Sequence, residues 1–242
     1  MHTYYLLDNH YIVDKAKNYA TFGHLLAYNP GAKDIEISIT IFNEDRDTQS
    51  LKLPVKAGRT NESNWVGWKI IEPGQRFAYK VESPEPLACQ VTYDWNNIGN
   101  AWPTADKLPK GGGESAGSYM AIRSLSTDWY CCDCIVLTDP KKFWAQESEW
   151  LIALNPGDQS VSVTADAVFT ASGEKNSYDF TIGPRRVKWV LMDDHVKNHH
   201  ALYGLHVHSR AGIAAQQIRT IRTYTSDALM SFWSTPLVPG PL

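Results

Sequence analysis

The feature that most constrains this chain is a stretch it contains twice. Leu25-Leu26-Ala27-Tyr28-Asn29-Pro30-Gly31 returns 126 residues later as Leu151-Ile152-Ala153-Leu154-Asn155-Pro156-Gly157, in a chain of 242 residues. Both copies end an apolar run in Asn-Pro-Gly. There Pro fixes φ, Gly accepts positive φ and Asn bonds its own backbone, so a strand must turn. Beyond the turn, Ile35, Ile37, Ile39 and Ile41 alternate with polar residues, and Val161, Val163, Ala165 and Ala167 do the same. Period two is the signature of a strand with one buried face. The register continues through Leu51, Leu53 and Val55 against Tyr178, Phe180 and Ile182, then Arg59 against Arg186, Val81-Glu82-Ser83 against Val207-His208-Ser209, and Gln90 against Gln216. Upstream, Tyr5-Leu6-Leu7-Asp8 meets Tyr130-Cys131-Cys132-Asp133. Only single-residue slips intervene, as expected where turns absorb changes and strands cannot.

The repeat divides the chain into residues 1–103, a Pro/Gly-rich linker at 104–118 around Gly111-Gly112-Gly113, and residues 119–242. In the first unit, strands are expected at 4–7, 22–28, 35–42, 51–55, 65–71, 77–81 and 87–95, with Pro54 making the fourth an edge or bulged strand. Residues 121–125 read as a strand-like addition in front of the second unit, and the tail from Ser231 finds no partner within its own repeat. No segment holds a 3.6-residue apolar period. The expected fold is all-β, two tandem β-sandwich domains of similar topology.

Composition sets the outer bounds. Net charge is −3 and no Lys/Arg cluster stands out, so neither nucleic acid nor an anionic membrane is an expected partner. No apolar run of about eighteen residues occurs, and the reading is of a soluble cytoplasmic chain. Four cysteines, three of them at 131, 132 and 134, do not make the spaced framework of a secreted disulfide scaffold.

The second unit resembles a known family. Asp128-Trp129-Tyr130-Cys131-Cys132-Asp133, then Leu-Asn-Pro-Gly leading into Val-Ser-Val-Thr, then Gly183-Pro184-Arg185-Arg186-Val187 and Ala214-Ala215-Gln216-Gln217-Ile218-Arg219 resemble the Anabaena sensory rhodopsin transducer superfamily. The first unit carries a weaker version. The resemblance implies small cytoplasmic β-sandwiches that oligomerise and bind small molecules, sugars among them, without known catalysis. Two departures stand out: Cys131-Cys132 where the family more often has Phe-Ala, and Gly58-Arg59 where paired basic residues are usual. Nothing in the chain points to a rhodopsin partner.

The repeat also tests candidate chemistry. Cys131, Cys132 and Cys134 beside His206 and His208 have zinc-ligand residue types, yet the first unit has Leu6 and Leu7, and Lys80 and Glu82, in the corresponding places. The cysteines therefore read as packing residues and the histidines as a wet strand face. His195, His199 and His200 read as a solvated loop. No catalytic residue, metal site or cofactor is assigned. The candidate ligand-binding residues are Asp133, Arg185, Arg186, Gln216 and Arg219, with Trp129 and Trp189 as an apolar wall, and Asp8, Arg59 and Gln90 in the first unit. Guanidinium forks and amides suit hydroxyl or carboxylate groups. The expected function is a non-enzymatic module for a small, sugar-like ligand, in a homo-oligomer. A metal- or carboxylate-dependent enzyme acting on such a compound and a structural assembly subunit are the alternatives.

Overall fold

The computed structural model describes residues 1–14, 19–63, 70–97, 117–141, 145–223 and 229–240. Residues 104–116 of the expected linker at 104–118 and most of the expected strand at 65–71 lie outside them, while the last two linker residues open a strand. The chain is all-β. In order, the strands are β1 His2–Asp14, β2 Tyr19–Asn29, β3 Ile35–Asn43, β4 Gln49–Val55, β5 Arg59–Ser63, β6 Gln75–Ser83, β7 Ala88–Asn97 and β8 Gly117–Met120. Then follow β9 Ser126–Cys134, β10 Ala145–Asn155, β11 Val161–Phe169, β12 Lys175–Ile182, β13 Arg186–Leu191, β14 Tyr203–Thr223, β15 Leu229–Pro236 and β16 Val238–Pro239. A 3-10 turn at Met192–Asp194 precedes β14.

The repeat in sequence is a repeat in pairing. In the first half β4-β3-β6-β1 lie side by side, as do β5-β2-β7-β8, and the end of β1 joins β2. In the second half β12-β11-β14-β9 and β13-β10-β14-β15 reproduce both runs. One difference is the connection between runs. Where β6 and β7 are separate strands, β14 passes unbroken from β11 and β9 to β10 and β15.

Local chemistry explains the elements. Ile37, Ile39 and Ile41 on β3, and Val163, Ala165 and Ala167 on β11, are buried as their alternation requires, and β4 with Pro54 is the edge strand, bonded to β3 alone among the described strands. Both Asn-Pro-Gly turns close in the same way. Gly31 N donates to Asn29 Oδ1 at 2.9 Å and Gly157 N to Asn155 Oδ1 at 3.0 Å. The Asn29 amide donates to the carbonyls of Lys33 and Val55, and that of Asn155 to Gln159, Ile182 and Gly183. Each buried amide thus ties the turn to the neighbouring strand.

Both repeats also share a β-bulge. Between Leu6 opposite Tyr79 and Asn9 opposite Phe77, β1 has one residue more than β6. Between Cys131 opposite Leu205 and Cys134 opposite Tyr203, β9 has one more than β14. The bulged residues are Leu7-Asp8 and Cys132-Asp133, so a device that re-aims side chains is repeated with them.

Three expectations change. Residues 119–122 do not open the second half: β8 pairs with β7, and Tyr5 and Ile122 exchange backbone hydrogen bonds of 2.7 and 2.8 Å. The tail does have partners in its own half, β15 on β14 and β16 on β9, with Val238 opposite Tyr130 as Ile122 is opposite Tyr5. Gly240 is required there, because a Cβ would lie 2.8 Å from that of Asp128. These closing strands share no residue pattern, so the sequence repeat could not reveal them. Lastly, Cys132 is not a packing residue. It is exposed, while Cys89 and Cys134 are buried and Cys131 is partly so.

Candidate functional site

The residues expected to bind a ligand do not converge. Arg185, Arg186, Trp189 and Gln216 lie on a seam where the first repeat packs against the second. The β3–β4 loop meets the start of β13: Arg186 Nη2 contacts Asp47 Oδ1 at 3.1 Å, Lys188 Nζ contacts Glu44 Oε1 at 3.1 Å, and Arg185 donates to Thr48. Trp189 meets His10 edge-on at 5.9 Å between centroids, and the Arg76 guanidinium lies 4.5 Å above Trp150 and 5.3 Å from Trp189. Burial holds Arg76 below the usual guanidinium range, against the pull of Glu44. Gln216 is fully buried and accepts from Leu7 N. These groups join the repeats.

The others have separate places. Trp129 is a core residue whose indole N–H donates to the carbonyls of Ser126 and Ile213. Asp8 is buried in the first bulge, Arg59 is exposed at the start of β5, and Gln90 is half-buried on β7. Arg219 belongs to an internal ion pair with Glu149, whose other oxygen accepts from the Tyr203 hydroxyl at 2.6 Å. Burial pushes the Glu149 carboxyl up, and hydrogen bonds from Tyr203, Ile135 N and Arg219 partly offset it. Asp133, in the second bulge, is exposed and lends its backbone carbonyl to Arg219. Cys131 and Cys134 form a thiol pair beneath it. Hydrogen bonding from Cys134 lowers Cys131 to about 7, despite burial.

The histidines expected in a solvated loop are placed differently. His195 stacks on Tyr178 at 3.5 Å, and His199 bonds the Thr138 hydroxyl and the Asp193 carbonyl. That segment is packed on the sheet, because the 3-10 turn folds it back. His206 and His208 do occupy a wet face, but they share it with residues from the strands on either side. Asp166 of β11 is opposite His206 in register, Asp128 of β9 is opposite His208, and Tyr130 is opposite His206. Cys131, adjacent to Tyr130, points to the other side of the strand.

This outer face is a compact polar cluster. Tyr130 stacks on His206 at 4.5 Å and His206 on His208 at 4.8 Å, making a short ladder of rings. His206 Nε2 lies 3.0 Å from Asp128 Oδ1, and His208 Nε2 lies 3.3 Å from Asp166 Oδ2. Ser177 donates to Asp166 Oδ1 and Lys175 Nζ sits 2.7 Å from Oδ2. Hydrogen bonds from His206 and Thr127 hold Asp128 below the usual carboxylate range. Burial would raise Asp166, but Lys175 and Ser177, with His208, outweigh it and its net shift is also downward. In the first repeat the same face carries Thr3, Tyr5, Thr40, Lys80 and Glu82 in the same register, with a Lys80–Glu82 ion pair of 3.0 Å. The exchange of Lys80 and Glu82 for His206 and His208 is visible in the repeat, whereas Asp128 and Asp166 become neighbours of the histidines only through cross-strand register.

No family model matches the chain, and no curated protein matches it. Among solved structures, the Thermotoga maritima 1070 crystal structure aligns with 48% of this chain and 95% of its own, at 15% identity and a TM-score of 0.41. Bacteroides uniformis beta-glucuronidase 2, covalently bound to cyclophellitol-6-carboxylate aziridine, aligns with 97% of this chain but 25% of its own, at 7% identity and a TM-score of 0.19. Neither likeness bears on what this chain does.

Proposed function

We propose that the chain is a non-enzymatic binding module of two tandem units, taking a small, hydroxyl-rich, sugar-like ligand on the outer face of the second repeat. One observation carries this: Asp128, Tyr130, Asp166, His206 and His208 meet on one face, and none but the tyrosine has a counterpart of its kind in the first repeat. Both carboxylates are held ionised, so they accept hydrogen bonds from hydroxyls. The ring of Tyr130, 41% exposed, offers an apolar face of the type on which sugar C–H groups pack. Carboxylates depressed in this way are poor general acids at neutral pH, which favours binding over turnover. The resemblance to the transducer superfamily supports the same class of function.

The test is a thermal-shift screen with D-glucose, D-galactose and D-mannitol in EDTA, since a ligand bound only by the folded state raises the melting temperature. A saturable rise is expected, lost in Tyr130→Ala and Asp128→Ala and kept in Arg186→Ala. No rise with any of them, or a rise indifferent to Tyr130 and Asp128, overturns the proposal.

A further inference from the structure

We propose that the same outer face holds one divalent transition-metal ion, bound by His206, His208 and Asp166. The inference rests on the reading of this face as the binding site, and names an inorganic occupant for it. Ligand atoms of these three residues already lie within 4.8 Å of one another. The His208 Nε2 to Asp166 Oδ2 separation of 3.3 Å is close to the spacing of about 3.3 Å between two donors each about 2.0–2.1 Å from a tetrahedral zinc ion. The arrangement comes from β-sheet register. His206 and His208 are alternate residues of β14 and so share a face, and Asp166 stands beside His206 on the next strand. Two imidazoles with one carboxylate suit zinc, nickel or copper rather than magnesium or calcium, which favour all-oxygen sites.

The surroundings fit the ion as well. Ser177 occupies Oδ1 of Asp166 and orients the carboxylate with Oδ2 toward the histidines. Asp128 holds His206 from the other side, the kind of outer contact that orients a metal-binding imidazole. Lys175 is the competitor: its ammonium lies 2.7 Å from Asp166 Oδ2, on a side chain that is 54% exposed, so it can swing into solvent as the ion enters. The ion and the ammonium therefore exclude each other at one oxygen. The first repeat, with Lys80, Glu82 and Thr40 at these positions, has no imidazole to offer. Among the described residues this is the one group of three such ligands, so the proposed stoichiometry is one ion per chain.

The experiment is isothermal titration of the metal-free full chain with zinc chloride, repeated with nickel chloride. One saturable site per chain is expected, weakened more than about tenfold in His206→Gln and in His208→Gln, and tightened several-fold in Lys175→Ala. Far-UV circular dichroism and melting temperature establish that each variant is folded, and Glu82→Gln in the first repeat serves as a variant that leaves affinity unchanged. No saturable binding overturns the proposal, as does binding that survives the double His206→Gln, His208→Gln change, which would move the ion to the Cys131–Cys134 thiols. Lys175→Ala leaving affinity unchanged or weaker also overturns it. Sugar binding in EDTA without zinc binding removes the ion and leaves the proposed function standing; zinc binding without any sugar response does the reverse.

Discussion

The two repeats share strand order, the Asn-centred turn and the bulge, yet each bulge meets a different environment. Leu7 and Asp8 are completely buried, whereas Cys132 is exposed and the Asp133 side chain is 78% exposed. The opposite asymmetry holds on the other side. Ile152, Leu154 and Gln216 are fully buried, while their counterparts Leu26 and Gln90 are half-buried and Tyr28 is exposed. The bulge side of the first repeat therefore packs on the β10–β14 side of the second. This is a head-to-tail contact rather than a two-fold one, since different surfaces of the repeated unit meet. Divergence between the copies follows that contact: Trp150 and Trp189 line the seam where the first repeat has His24 and Glu62. Shared positions report the fold, and unlike positions report what each copy touches.

The sharpest way to break this comparison is to truncate the two bulges in parallel. Leu7→Ala should cost about 2–5 kcal/mol, the range for a buried leucine that leaves a cavity. Cys132→Ala, at the equivalent exposed position, should stay within about 0.5 kcal/mol. Urea denaturation of both variants reads the difference. Equal losses, or a larger loss at Cys132, would mean that the first bulge is not covered by the second repeat.

Much of this fold was legible in the sequence because its signals are local. Asn-Pro-Gly specifies a turn from three adjacent residues, the alternation of Ile35 to Ile41 specifies a buried face, and Pro54 specifies an edge. The bulge was not legible, since an extra residue in one strand is defined only by the strand opposite. The closing strands β8 and β16 escaped for a related reason: they are short and are held by backbone hydrogen bonds, which leave no side-chain pattern. The candidate site suffered most. Arg186 and Gln216 carry a guanidinium fork and an amide that suit ligand hydroxyl or carboxylate groups, but the same groups serve equally well in a contact between repeats, and only the packing of Asp47 and Leu7 against them places both at the seam. Asp128 and Asp166, with threonine counterparts Thr3 and Thr40, meet the histidines only through cross-strand register, which spacing along one strand does not contain.

A second prediction sharpens the comparison where the repeats should agree. Asn29→Ala and Asn155→Ala each remove a buried amide that satisfies a Gly N–H and at least two carbonyls. Leaving such groups without partners costs roughly 1–3 kcal/mol. The two losses should match within experimental error in equilibrium denaturation, because every hydrogen-bond partner of each amide belongs to its own repeat. A loss at one turn with none at the other would show that the repeats differ in internal construction as well as in their surroundings.

The smallest effect concerns the paired arginines, alike in sequence and unlike in place. Arg186 reaches Asp47 across the seam, but the Asp47 side chain is fully exposed and that of Arg186 is 27% exposed. Such pairs contribute only about 0.2–1 kcal/mol, because solvent screens the charges and ordering two long side chains costs entropy. Arg59 is exposed at the start of β5. Arg186→Ala should therefore destabilise the chain by that small amount in 50 mM NaCl and by less in 1 M NaCl, where the Debye length shrinks to about 3 Å. Arg59→Ala should change nothing at either salt concentration. Chemical denaturation at the two ionic strengths separates the cases. A salt-independent loss at Arg186 would assign its role to packing of the alkyl stem against the seam, and an equal loss at Arg59 would place that residue in a contact the head-to-tail arrangement does not contain.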